Sequence, residues 1–210
     1  VMEIVYAHLG PGGKRLLDVA CGTGHHLAYL KQWFDVEGLD LSPELLEQAR
    51  KRLPDVKLHC GDMVDSDLGC TFDVVTCLFS SIGYVETVER LERAIGSMAR
   101  HLVSGGLLLV EPWFTPETWH PNTVHSVFVE EPEFRMARIN TSFQEGRISY
   151  FDLHYLIGTP QQTVHMVEHH RLGLFTREET EVAYTQAGLE VTYDEQGLTG
   201  RGLYIGNRPG

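Results

Sequence analysis

The sequence is short of the features that would place it in a membrane, on nucleic acid or around a metal. No apolar run approaches the roughly 18 residues of a membrane span, and no charged-then-apolar leader opens the chain. A cytoplasmic protein without a membrane partner is the expectation. Basic residues are scarce, with 17 Lys and Arg against 29 Asp and Glu and a net charge of −12. The deficit is spread: residues 1–105 carry 10 basic and 15 acidic groups, and residues 106–210 carry 7 and 14. A broad phosphate-tracking surface, and so a nucleic-acid partner, is disfavoured, while a small local basic site stays open. Cys21, Cys60, Cys70 and Cys77 include no CxxC pair and read as reduced core thiols. His165, His169 and His170 suggest a metal at first. On a strand, however, residues four apart sit about 13 Å from each other, too far to share one ion. No metal site is expected.

What is present is a chain of 210 residues, long enough to bury about 70% of its unfolded surface without staples. From Lys14 onward short apolar runs alternate with amphipathic segments, the pattern of a parallel sheet covered by helices. Strands are expected over 15–20, 36–41, 56–60, 72–79 and 107–110. Helices are expected over 27–33, behind the Ser42-Pro43 cap with its Leu45, Ala49 and Leu53 stripe, and over a stripe of Val88, Leu91, Ile95, Met98 and Leu102 that Gly105-Gly106 would end. Residues 124–174 alternate instead, with turn signals at Glu145-Gly146 and Gly158-Thr159-Pro160, so an antiparallel insertion is expected there. Thr176 with Glu179 forms a capping box for a last helix, and strands over 189–193 and 202–205 close the chain. The organisation expected is a single domain, 1–210, with 114–174 as an insertion serving acceptor binding, dimerisation or both.

Four signals lie at the carboxyl ends of consecutive strands, where open α/β sheets bind ligands. In Leu17-Asp18-Val19-Ala20-Cys21-Gly22-Thr23-Gly24 a strand runs into a two-glycine turn and then a helix, which offers bare backbone and free N–H donors. A dinucleotide fingerprint would need a third glycine where this chain has Leu27. A nicotinamide-dependent oxidoreductase is therefore disfavoured. Asp40 ends the second strand, 16 residues after Gly24, placed to accept from both hydroxyls of a ribose. A capping role toward the next helix is its alternative. Gly61-Asp62-Met63 can flank an adenine ring. Cys77-Leu78-Phe79-Ser80-Ser81 ends the fourth strand.

The D-V-A-C-G-T-G turn, the G-L-D-L-S run, the G-D-M triplet and F-D-V-V-T-C-L-F together resemble the class I S-adenosylmethionine-dependent methyltransferases over about residues 14–111. The resemblance implies a Rossmann-like, seven-stranded, mostly parallel sheet with a reversed last strand. It also implies S-adenosylmethionine as cofactor, with Asp18, Ala20, Gly22, Thr23 and Gly24 along the methionine part and Asp40 and Leu41 at the ribose. Asp62 and Met63 would border the adenine, and Leu78 and Phe79 would lie nearby.

A narrower resemblance reaches further. C-L-F-S-S-I-G (77–83), V-E-P-W-F-T-P-E (110–117), H-H-R-L-G-L-F-T-R-E (169–178) and G-R-G-L (200–203) are similar to the N,N-dimethyltransferases of nucleotide-linked amino-deoxysugars. The resemblance implies a small-molecule acceptor, a nucleotide-linked amino sugar, with Arg201 near its phosphates. Trp113 and Phe114 are read as a substrate wall, and Tyr84, Glu168 and His169 as the groups handling the amine, with His170 a further pocket candidate and a surface or core position the other reading of the histidines. The resembled enzymes tend to have histidine at the position of Tyr84. They also carry N-terminal helices with a tyrosine closing over the cofactor, where this chain has about 14 residues before its first strand. Methylation of another small acceptor, at oxygen or nitrogen, and a non-catalytic adenosine-binding module are the other readings.

Overall fold

The computed structural model describes residues 1–12 and 14–210. After α1 (Met2–Leu9) the chain alternates through β1 (Lys14–Val19), α2 (His25–Leu30), β2 (Phe34–Asp40), α3 (Pro43–Arg52), β3 (Lys57–Cys60) and β4 (Phe72–Cys77). A 3₁₀ turn (Ser81–Val85), α4 (Val88–Arg100) and β5 (Leu102–Val110) follow. Next come four strands, β6 (Val124–Glu130), β7 (Arg135–Glu145), β8 (Ile148–Gly158) and β9 (Thr163–Gly173), and then α5 (Arg177–Gln186), β10 (Glu190–Asp194) and β11 (Leu203–Asn207).

The main sheet has the order β10-β11-β5-β4-β1-β2-β3. Strands β1 to β5 pair in parallel, and β11 runs antiparallel between β5 and β10. This is the expected seven-stranded sheet with its last strand reversed. Strand alternation divides the core between its two faces. Leu17, Val75 and Leu108 meet Leu91, Ile95 and Met98 of α4 and Tyr184 of α5, while Leu16, Val74 and Leu107 meet Val5, Leu27 and Leu46 of α1 to α3. The strand order reverses between β1 and β4, which opens a crevice at their carboxyl ends.

Local chemistry sets the helix starts. The Ser42 hydroxyl accepts from Leu45 N–H at 3.2 Å with Pro43 behind it, and Thr87 accepts from Arg90 N–H at 3.3 Å. Thr176 and Glu179 form the anticipated reciprocal box. The largest difference in boundaries from expectation lies where the fourth helix meets the fifth strand. The fourth helix ends at Arg100, and Gly105-Gly106 lie inside β5, where the pairing with β4 shifts register. A side chain at 106 would meet the Val103 carbonyl at 2.8 Å, so glycine here serves a close backbone approach within a strand and does not stop a helix. The thiols also divide: Cys21 and Cys77 are buried, but Cys60 is exposed, because its edge strand β3 has only one neighbour.

The second sheet is an antiparallel meander, β6-β7-β8-β9. Its turn at Gly146 has φ of 58°, the left-handed conformation that glycine supplies without strain. Alternation gives this sheet an inner face carrying Ser142, Phe151, Leu153, Glu168 and His170, and an outer face carrying their sequence neighbours.

Candidate active site

Two cavities meet at the carboxyl edge of the main sheet. The first, about 590 Å³, is lined by Ala20, Gly22, Asp40, Leu41, Asp62 and Met63, with Tyr84 and Arg90 closing it. Asp40 is buried and organises this end: its Oδ2 accepts from Gly22 N–H at 2.7 Å and its Oδ1 from Ser42 N–H at 2.8 Å. Asp40 thus bonds the N-cap residue of α3, as its capping alternative requires, while still lining the cavity. Asp62 is fixed likewise, by Val64 N–H at 3.0 Å and by the Arg90 guanidinium at 3.0 Å.

Asp18 lies beneath the glycine turn and is 1% exposed. Its Oδ1 accepts from Thr76 Oγ1 at 2.7 Å, while its Oδ2 is buried without a partner among the described residues. Burial pushes its carboxyl up to about 6, against the pull of the Thr76 hydrogen bond and of His26. Gly24 (φ 77°) starts α2, and a Cβ there would lie 3.1 Å from Leu53 and 3.3 Å from Ala49, so this glycine lets α2 pack on α3 rather than lining the cavity. Thr23 gives its carbonyl to the Arg52 guanidinium. Leu78 is buried. Phe79 is exposed and belongs to the second cavity, because β4 ends at Cys77 and the chain turns sharply after it.

The second cavity, about 860 Å³, lies between the main sheet's edge and the inner face of the meander. Trp113 and Phe114 form one wall, the indole N–H donating to Ser149 Oγ at 2.9 Å while Phe151 stacks on the ring at 5.5 Å. Tyr84 lines both cavities and so stands where they join. Its phenol is pushed up by burial and by Glu168. Glu168 faces the cleft and accepts from Tyr155 O–H at 3.1 Å.

His169 is a correction. On β9 it alternates with Glu168 and His170 and so points to the outer face, where its ring bonds Asp152 at 2.7 Å with 73% of the side chain exposed. His170 occupies the inner position instead.

Arg201 is held at 3.0 Å from Ser80 Oγ, with its guanidinium 5.3 Å from the Trp113 ring centre and 5.7 Å from that of Phe114. Such a cation over aromatic faces is partly desolvated and strongly oriented. Glu111, buried at the end of β5, accepts from Phe79 N–H at 2.7 Å and from the Thr199 hydroxyl, tying the turn after β4 to the loop that carries Arg201.

A methyltransferase-domain family model matches residues 16–106. The dTDP-3-amino-3,4,6-trideoxy-alpha-D-glucopyranose N,N-dimethyltransferase of Streptomyces venezuelae is 44% identical over 198 residues, covering 93% of this chain and 84% of its own. The chain belongs to the S-adenosylmethionine-dependent methyltransferases. A second relative of this methyltransferase, the dTDP-4-amino-2,3,4,6-tetradeoxy-D-glucose N,N-dimethyltransferase of Saccharopolyspora spinosa, is 38% identical over 99% of this chain and 84% of its own. Among solved structures, an amino pentose methyltransferase from Micromonospora echinaspora with its cofactor bound superposes with a TM-score of 0.91 at 41% identity, over 98% of this chain and 87% of that one.

The residues present fit the cofactor of this methyltransferase. On the lining of the first cavity, Asp40 would answer a pair of hydroxyls, and Leu41 and Met63 an aromatic base. Asp18 is on neither cavity's lining, and its orphaned Oδ2, just behind Val19 and Ala20, would answer a cationic ammonium. Arg90, Arg138 and Glu111 carry no signal in the sequence, because a salt bridge or cleft position formed by distant segments leaves no local signature.

Proposed function

We propose that this methyltransferase methylates the amine of a nucleotide-linked amino sugar. The observation that carries the reading is the placement of charge. In a chain of net charge −12, Arg138 and Arg201 line one cleft. Neither guanidinium forms an ion pair among the described residues, and Arg138 Nε is buried without a hydrogen-bond partner. A guanidinium fork suits bidentate phosphate contact. An acceptor bearing a diphosphate would supply the missing anions, and both relatives named above act on dTDP-linked amino sugars.

When bound, S-adenosylmethionine supplies a methyl group already activated on its sulfonium. The work left to the chain is to hold an amine in line, exclude water and remove a proton. Positioning of this kind is worth roughly 7–11 kcal/mol. The Trp113-Phe114 wall and the meander's inner face close the cleft around the acceptor, and Tyr84 places a hydroxyl where the two cavities meet. Mass-detected methyl transfer to a panel of dTDP-amino sugars tests the reading, and absence of transfer to every amine overturns it. Arg201→Ala is expected to raise the acceptor KM about tenfold or more, the loss of a charged hydrogen bond, with cofactor affinity unchanged in calorimetry.

The outer face of the meander exposes Val124, Phe128, Ile139, Phe143 and Leu156. We propose that this apolar face pairs with a second copy of the chain, since a contiguous patch of this kind on one sheet face is costly to leave in water. Sedimentation is expected to give the mass of a dimer for the wild type and of a monomer for Phe128→Glu.

A further inference from the structure

His170 sits two residues beyond Glu168 on β9, so both project into the acceptor cleft. Its Nδ1 lies 2.7 Å from the Tyr84 hydroxyl. The ring is laid flat on Phe151, with centroids 4.7 Å apart and planes 14° apart, which fixes its orientation. On the other side Nε2 is buried with no hydrogen-bond partner among the described residues, 3.6 Å from Glu168 Oε2. A phenol donates only to a bare ring nitrogen. With Tyr84 donating to Nδ1, the neutral ring carries its proton on Nε2, toward the carboxylate.

We propose that His170 is the terminus of a two-step proton relay that begins at Tyr84. The inference rests on the amine-acceptor reading above. An ammonium has no lone pair for attack, so each round of methylation needs a proton taken away. Tyr84, at the junction of the cavities, is placed to receive it. As the N–H bond of the ammonium breaks, its electron pair stays on nitrogen and the proton joins a lone pair of Tyr84 Oη. The original phenolic proton passes along the 2.7 Å contact to His170 Nδ1. Tyr84 ends neutral and His170 ends as imidazolium, its Nε2–H facing the Glu168 carboxylate. The ring then gives up its proton through Glu168, whose half-exposed carboxylate releases it to solvent. No oxidant or co-reactant is involved.

The arrangement explains why a phenol can serve where deprotonating it outright would not. Burial and Glu168 both push Tyr84 upward, so a free phenolate is disfavoured near neutral pH. Passing one proton in while passing another out avoids that species. The groups facing the ring are Tyr84 from the 3₁₀ turn and Glu168 from its own strand; behind Glu168 stand Tyr155 of β8 and Arg138 of β7, with the Phe151 ring beneath. Glu168 is thus the one carboxylate on the relay, and it favours the state after transfer.

The test is the pH dependence of transfer to an amino-sugar nucleotide by the whole enzyme. The wild type is expected to lose activity on the acid side, where a ring already protonated at Nδ1 cannot accept from Tyr84. In His170→Gln the side-chain carbonyl still accepts from Tyr84 but cannot take a proton. That acid limb is expected to vanish, with kcat at pH 7 lower by roughly tenfold to a hundredfold and with acceptor KM and cofactor Kd near wild-type values. Tyr84→Phe is expected to reproduce the kcat loss. It is also expected to move the histidine ring resonance that His170→Gln removes from the proton NMR spectrum, a readout independent of turnover. A wild type that methylates amines while His170→Gln keeps both its limb and its rate overturns the relay alone. A wild type that methylates no amine overturns the acceptor reading, and the relay with it.

Discussion

Asp18→Asn is expected to make the cofactor-free protein more stable at pH 8 and to weaken its hold on S-adenosylmethionine by about 100-fold. Both effects come from one buried oxygen. The Asp18 carboxyl rises from its ordinary 3.8 to about 6 because ionising it beneath the glycine turn forfeits hydration that the single Thr76 hydrogen bond does not replace. Since its folded value lies above its unfolded one, the folded state holds the extra proton between those values, and stability falls as pH rises from about 4 to about 6, then levels. A shift of this size corresponds to about 3 kcal/mol at pH 8. Asparagine keeps the contact to Thr76 and removes the charge. Its amide nitrogen inherits the unpartnered position of Oδ2, which costs about 1–2 kcal/mol of that gain. The net is about 1–2 kcal/mol, or a Tm higher by roughly 2–8 °C. Thermal unfolding across pH 4–8 should slope in the wild type and run flat in the variant. Calorimetry should show wild-type affinity growing as Asp18 ionises, because a carboxylate meets a cationic ammonium better than a neutral acid does, and no such growth in Asp18→Asn. A wild-type unfolding curve without that slope would mean that the oxygen is hydrated and the assignment wrong.

The second large effect is expected at Asp40. Both of its oxygens already accept backbone N–H groups, from Gly22 and Ser42, and each has lone pairs left to meet a ribose. Asp40→Ala therefore removes the ribose contact and loosens the turn beneath it. Hydrogen bonds to a charged group contribute about 1.5–3 kcal/mol each, so the cofactor Kd should rise by at least about 100-fold. Loss of the tie to Gly22 should also lower stability, whereas Asp40→Asn, which keeps one acceptor, should fall between. Unchanged cofactor affinity in Asp40→Ala would sink the ribose assignment.

How far the sequence alone reaches can be judged from particular residues. The cofactor end is local. Each of its elements is a short run in which a strand, a turn residue and a helix cap occur in order, and local backbone requirements dictate the glycines and the Ser42-Pro43 cap, so position in the chain translates into position in the fold. The acceptor cleft is assembled from segments far apart. Arg138 and Arg201 come from β7 and the loop before β11, and only the packing of the meander brings them to one cavity. Glu111 reads in sequence as an ordinary polar residue ending a strand, yet it is 2% exposed and ties two loops. Periodicity alone separates His169 from Glu168. Glu168 and His169 are consecutive on a segment whose alternation marks it as a strand, so they cannot both face one cleft. Glycines 105 and 106 misled for the opposite reason: two adjacent glycines after an amphipathic stripe signal a helix end, and only the register of β5 against β4 reveals a bulge.

The turn after β4 places Phe79 and Ser80 consecutively at φ of 56° and 62°, a conformation in which residues other than glycine are strained by on the order of 1–3 kcal/mol each. Glycine at either position would release that strain. A laboratory evolution campaign rewarding heat resistance alone should drift toward glycine there, and Ser80→Gly would delete the hydroxyl that Arg201 grips. Thermostable clones of this chain would then be the ones that no longer recognise their acceptor, so turnover has to be screened beside melting from the first round.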